Sequence, residues 1–257
     1  MTQPAPPHAR SSALAEIPHG FFGRRGGYST GDLASLNCGL GSPDDPVVIA
    51  RNRALARDAV LPRAALLGVY QVHGTTCAVA EGAWDEADRP HADALVTDRP
   101  HLLLGILTAD CAPVLFADAG AGVVGAAHAG WKGALDGVTN STLAAMEQLG
   151  ARRERIVAAV GPCIGRASYE VDEGFVQRFC AASADNDRFF ADGRPGHAQF
   201  DLAGYVAHRL ASVGVGRVDI IGHDTCAMAD DYFSYRRATL AGTNSYGRQI
   251  SLIGLPA

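Results

Sequence analysis

LLLGILTADCAPVLFADAGAGVVGAAHAGWKGALDGVTNSTLAAMEQL, residues 102–149, decides the fold class. Two apolar runs, 102–107 and 114–117, flank Thr108-Ala109-Asp110-Cys111-Ala112-Pro113 and read as buried strands. A run of small residues at 122–127 is a third strand, leading into His128-Ala129-Gly130-Trp131-Lys132-Gly133. From 134 to 149 the spacing turns helical, with Leu135, Val138, Thr142, Met146 and Leu149 on one side. Buried-type strands followed by an amphipathic helix predict an α/β protein.

Toward the N-terminus, 46–60 has helical spacing with Asp44 or Asp45 placed to cap it. Residues 66–81 read as strand, turn and strand around Gln71-Val72-His73-Gly74, and 92–97 as a short strand. Toward the C-terminus, a buried-type strand at 155–161 is stopped by Gly161-Pro162. Helices are predicted over 173–182 and 202–213, and strands over 217–222, 233–237 and 249–253. Strands and helices alternate only in the middle, with hairpin-like pairs at both ends, which predicts a sandwich with mixed sheets. No internal repeat or Ser/Gly linker divides the chain, so 16–257 is expected to form one catalytic domain. Residues 1–15 read as a disordered leader, since the first twelve hold three prolines and no apolar signal-peptide segment.

The composition, 47% hydrophobic and 19% charged, is that of a globular protein of 257 residues. A net charge of -5 without any Lys/Arg run argues against nucleic-acid binding. The longest apolar stretch, 102–107, is far too short to span a bilayer. Six cysteines without framework spacing suit a reducing cytoplasm, where they serve as core residues, thiols or ligands.

His73, Cys111 and His128 each end an apolar strand beside Gly or Pro, where α/β sheets place ligands. Two imidazoles and a thiolate suit Zn²⁺ and leave a fourth position open for chemistry. Two core histidines and a buried thiol are the plain alternative, and spacing alone leaves both open. Lys132 stands at a glycine-rich strand-to-helix turn suited to an anion, or it is simply a solvated lysine. Arg24, Arg53, Arg236 and Arg237 are candidate anion contacts, and Asp110 and Glu170 candidate acid/base groups. Trp131, Tyr232, Phe233 and Tyr235 suit either ring stacking or core packing, and Cys163 suits a small turn position.

Gln71-Val72-His73-Gly74, Ala92-Asp93-Ala94-Leu95-Val96-Thr97, the segments 108–114 and 128–133, and Phe233-Ser234-Tyr235-Arg236-Arg237 together carry a resemblance. From about 18 to 253 the chain resembles the laccase-domain family, also called the multicopper polyphenol oxidoreductase or peptidoglycan-editing-factor family. The resemblance implies a single-domain four-layer α/β/β/α sandwich with mixed sheets. It implies metal ligation by His73, Cys111 and His128, with zinc expected and copper the alternative. Members are described as purine nucleoside phosphorylases acting on adenosine, inosine and methylthioadenosine, with adenosine deaminase side activity. Cys111, Asp110 and Lys132 are then the expected catalytic residues, and Arg24, Arg53 and Arg236 the expected contacts to nucleoside and phosphate. Two positions depart from the pattern: Lys132 where arginine is common, and Asp224 where cysteine is common.

Two other chemistries remain for such a site. Copper-dependent polyphenol oxidation suits a His₂Cys set, but a multicopper enzyme uses many histidines, usually in H-x-H pairs, and the nine present form none. Hydrolysis of an amide in a peptidoglycan precursor would use zinc-bound water or Cys111 as nucleophile, and metal ligation by Cys111 disfavours the thiol route.

Overall fold

A computed structural model describes residues 4–243 and 245–256. Its first strands are β1 (His8–Ala9), β2 (His19–Phe22), β3 (Ala65–Leu67), β4 (Cys77–Val79), β5 (Ala94–Thr97), β6 (Leu102–Thr108), β7 (Ala112–Asp118) and β8 (Val123–Ala129). After these come β9 (Val157–Val160), β10 (Glu170–Asp172), β11 (Phe190–Asp192), β12 (His197–Phe200), β13 (Arg217–Ile220) and β14 (Gln249–Gly254). The α-helices are α1 (Pro46–Val60), α2 (Trp131–Asp136), α3 (Val138–Gln148), α4 (Glu173–Ala182), α5 (Leu202–Ser212) and α6 (Tyr235–Leu240).

Two mixed sheets form the centre, with strand orders β1-β2-β14-β6-β3 and β13-β9-β7-β8-β5-β4. Their strands are apolar on both faces, so each alternate set of side chains finds its own core. Phe22, Leu103, Ile250 and Leu252 face outward against Ala56 and Leu55 of α1. Phe21, Leu104, Ile106 and Ile253 point the other way and meet Leu95, Leu115, Val124 and Ala126 between the sheets. The far face, with Val96, Val114, Phe116 and Val160, packs on Val138, Leu143 and Met146 of α3 and on Tyr205 and Leu210 of α5. The result is the expected helix–sheet–sheet–helix layering, in which each buried Leu, Ile or Phe contributes about 1.5–3 kcal/mol.

Local signals explain most boundaries. Pro46 opens α1, and the Asp45 carboxylate accepts the Val47 N–H at 2.8 Å, so Asp45 is the cap. The helix expected at 134–149 starts earlier and is split at Gly137, whose φ of 102° lies in the left-handed region.

Several expectations are corrected. Residues 233–237 do not form a strand: the Ser234 hydroxyl accepts the Arg237 N–H at 3.1 Å and starts α6. The strands at 65–67 and 77–79 belong to different sheets, so 68–76 is a crossing rather than a hairpin turn. A third, antiparallel sheet, β10-β12-β11, went unforeseen. In the supposed leader, residues 1–3 lie outside the described residues, but the rest is built into the fold. His8 and Ala9 pair with Phe22 and Phe21, the Ser11 hydroxyl bonds Asp219, and Leu14 is buried, because the edge of β2 needs a partner.

Candidate metal centre

The site follows from topology. β3 and β6 are parallel neighbours, so the chain leaves both at one end of the five-stranded sheet and crosses to the other. The first crossing carries His73 and the second, between β6 and β7, carries Cys111. On β8, His128 lies opposite Pro113, two residues from Cys111. The donor atoms of His73, Cys111 and His128 all lie within 4.8 Å of one another, and the imidazoles meet edge to face at 4.7 Å. His73 (φ 58°) and Asp110 (φ 84°) both occupy the left-handed region, a strain of order 1–3 kcal/mol each, of a kind that collects at functional sites.

Asp93, fully buried at the start of β5, organises the centre. One carboxylate oxygen accepts the His73 N–H at 2.9 Å and lies 2.8 Å from His128 Nδ1. The other accepts the N–H groups of Val72 at 3.1 Å and Gly74 at 2.6 Å. Asp93 therefore fixes the turn that presents His73 and orients His128 so that Nε2 is its free donor. Sequence reasoning gave Asp93 no role, although a carboxylate leading an apolar strand was the available signal.

The electrostatics favour an anionic sulfur. Burial would raise the Cys111 thiol, but the His128 charge and hydrogen bonds from both imidazoles bring it down to about 6. Burial opposes the His128 charge, yet Cys111 and then Asp93 lift that imidazole to about 9. A thiolate beside two oriented imidazoles is the donor chemistry a borderline-soft divalent metal requires. Space fits as well: a Cβ on Gly130 would lie 3.1 Å from both Cys111 Sγ and His73 Cδ2. Gly130→Ala should therefore lower metal retention by about tenfold, as a disturbed ligand shell does, with little loss of thermal stability. Elemental analysis after dialysis against a chelator, beside a melting curve, checks it.

The donors open into a cavity of about 670 Å³, lined among others by Tyr70, Arg89, Thr108, Tyr235, Tyr246 and Arg248. The Thr108 hydroxyl is buried and has no hydrogen-bond partner among the described residues. Arg248 donates to the Tyr246 hydroxyl at 3.2 Å and lies over that ring, and Tyr235 packs on Tyr246 at 5.2 Å. None of Tyr70, Arg89, Tyr246 and Arg248 stood out in the sequence, because tertiary crossings bring them together.

The other expected residues are scattered. Asp110 is occupied: its carboxylate accepts from Thr225 Oγ1 at 2.7 Å, Ser234 Oγ at 2.9 Å and the Arg236 N–H at 2.6 Å. It ties the Cys111 turn to the start of α6. Lys132 is exposed on α2 and is not among the residues lining the cavity. Arg24 donates to the carbonyls of Ala34, Ala229 and Asp32, holding a loop, while Arg236 donates to the Glu170 carbonyl. Arg237 similarly binds the carbonyls of Thr225, Cys226 and Tyr232. Arg53 lines a neighbouring cavity. Glu170 pairs with Arg194, and Trp131 packs on Phe175. Tyr232 and Phe233 are buried, so of that group Tyr235 alone lines the metal cavity. Cys163 is a buried core residue, and Asp224 accepts from Ser168 and from the N–H groups of Cys226 and Ala227.

Comparison with known proteins agrees with this architecture. A Deinococcus radiodurans protein named purine nucleoside phosphorylase is 42% identical over 259 residues, covering 100% of this chain and 96% of its own. A Streptomyces griseus protein, purine nucleoside phosphorylase ORF3, is 38% identical and covers 91% of this chain and 95% of its own. The crystal structure of Neisseria meningitidis protein NMB0706 superposes with a TM-score of 0.88 at 33% identity, covering 99% of this chain and 100% of that one. YlmD from Geobacillus stearothermophilus gives 0.87 at 28% identity, over 100% and 98% of the two chains. The sequence model of one family matches residues 18–256, a span that takes in all three donors and Asp93, and the chain thus belongs to the multi-copper polyphenol oxidoreductase laccase family.

Proposed function

We propose that the protein is a zinc-dependent purine nucleoside phosphorylase acting on adenosine, inosine and methylthioadenosine, with adenosine deamination as a minor activity. The observation that carries the reading is the cavity on the donor set. Its 670 Å³ suits a nucleoside, and its walls combine aromatic faces with guanidinium groups. Tyr235 and Tyr246 offer flat surface for a purine. Arg89 and Arg248 supply positive charge in the same space. The relatives named purine nucleoside phosphorylase support the same substrate class.

When bound, zinc would supply a Lewis-acidic position for an oxygen of the substrate or of phosphate. The chain's own residues hold the reaction around it. Asp93 keeps His128 in one tautomer, the His73 turn stays fixed by three N–H donors on Asp93, and Arg248 is pinned by Tyr246. Copper-dependent oxidation is the second reading, favoured by the His₂Cys donors alone. Among the described residues one three-donor group is found, against the several copper centres of a multicopper enzyme. The six free cysteines suit a reducing compartment, and we place the enzyme in the cytoplasm. No described helix is long and apolar enough to cross a membrane.

Adenosine with excess phosphate should give mainly adenine and ribose 1-phosphate, with inosine as a minor product. Inosine keeps the same glycosidic bond and should be cleaved too. Product chromatography at varied phosphate is the test, and adenine release that ignores phosphate would overturn the reading.

A further inference from the structure

α1 brings Arg53 into an unusual position. The residue is 8% exposed, yet its guanidinium donates no hydrogen bond among the described residues; its ionic partner there is the exposed Glu86 carboxylate, at 3.6 Å. Charge-assisted bonds from guanidinium to carboxylate normally close to about 2.7–2.9 Å, so that contact is a loose one. Burying a guanidinium whose fork is unfilled is costly, and burial does weaken its hold on its proton. Its nitrogens are nevertheless not sealed: among described side chains only Thr108 Oγ1 and Gln199 Oε1 are both sealed and unpartnered. They open into a cavity of about 580 Å³, which Arg57 and Arg89 also line.

The walls of this cavity are fixed. Asn52, next to Arg53 and fully buried, accepts the Tyr28 N–H and donates to Ser29 Oγ and to the carbonyls of Ser35 and Asn37. Asn37 in turn binds Ser42 and Asp44, which holds the loop that carries Leu40 and Gly41. Of the two carboxylates lining the cavity, Asp44 is already bonded to Ser29 and Asn37 and faces a formed network. Glu86 is the movable one, 58% exposed at its side chain. Leu40, Gly41 and Arg89 line both this cavity and the metal cavity, so the two adjoin.

We propose that the Arg53 cavity is a binding site for a phosphate-type oxyanion, free or as an ester, taken by the Arg53 fork in place of Glu86. A rigid, planar fork aimed at a preformed space is the geometry that recognises such an anion bidentately. Use of the site by phosphate as co-substrate rests on the phosphorylase reading, whereas binding of the anion does not.

Calorimetric titration of the metal-loaded protein with inorganic phosphate, and separately with ribose 5-phosphate, tests the site without turnover. Arg53→Met should weaken binding at least tenfold and Arg53→Lys by a smaller factor, since it keeps charge but loses the fork. Glu86→Gln, at an exposed position, should strengthen binding severalfold, and it keeps the test decisive if Arg53→Met folds poorly. Unaltered metal content and melting temperature report that each variant is folded. If the KM for phosphate rises with the dissociation constant while the KM for nucleoside holds, the site serves the co-substrate. If binding falls while the KM for phosphate holds, the site serves a separate phosphate-bearing ligand. Phosphate binding that is indifferent to both Arg53→Met and Glu86→Gln overturns the proposal.

Discussion

Cys111→Ala should empty the metal centre, reducing bound metal from about one ion per chain to under a tenth of that on purification. The thiolate is the anionic donor of the set, and without it two imidazoles remain, one of them on an exposed residue. Divalent metals bind such a pair weakly, and the lost affinity is also lost folding energy of the loaded protein. Turnover should fall by about 10³-fold, equivalent to about 4 kcal/mol of transition-state stabilisation. Cys163→Ala is the matched control. Cys163 is buried close by in the Gly161–Gly165 turn, where burial pushes its thiol up and leaves it an inert core residue. Elemental analysis of the two variants separates the roles: full metal in Cys111→Ala would remove that residue from the donor set.

His73, Cys111 and His128 stand out in the sequence as candidates because each interrupts an apolar strand where a core pattern calls for none. What joins them was not legible. Asp93 acts on partners 19 to 35 residues away, through backbone N–H groups whose availability depends on the fold. Tyr70, Arg89, Tyr246 and Arg248 reach one cavity only after the chain has crossed between sheets. The central strands were readable as continuous apolar runs, a consequence of their burial on both faces. The same property hid which residues face α1 and which face the second sheet, since Leu103 and Leu104 look alike in sequence. β10 and β11 have three residues each, too few for alternation to show. At 233–237, Phe233 and Tyr235 imitated a strand, while the capping hydroxyl of Ser234 carried the correct signal. Asp110 stands out in the sequence only as a candidate acid/base group, because the hydrogen bonds it accepts come from residues more than a hundred positions later.

Asp93→Ala should damage stability and metal binding together, although Asp93 donates nothing to the metal. The carboxylate is fully buried, and its burial alone would raise its pKa. The His128 hydrogen bond and the N–H groups of Gly74 and Val72 outweigh that and hold the group below the usual carboxylate range. Removing it takes the acceptor from three N–H groups of a part-buried turn and from the buried His128 imidazole. Breaking a buried charged network from one side costs about 3–5 kcal/mol. Asp93→Asn keeps one acceptor but turns an amide NH₂ toward those donors, so it should recover only part of the loss. In both variants metal affinity should fall by about 10–100-fold, because His128 loses its orientation and His73 its turn. Asp118→Asn distinguishes this from general weakening. Asp118 is equally buried and accepts from Arg155 and from the Arg152 and Ala121 N–H groups, but it lies at the opposite end of β7 from Cys111. It should lower the midpoint of denaturant unfolding and leave metal affinity unchanged. Paired unfolding and metal-competition titrations on the three variants decide the matter: if Asp93→Asn binds metal as tightly as Asp118→Asn does, Asp93 is a stabilising residue and not the organiser of the centre.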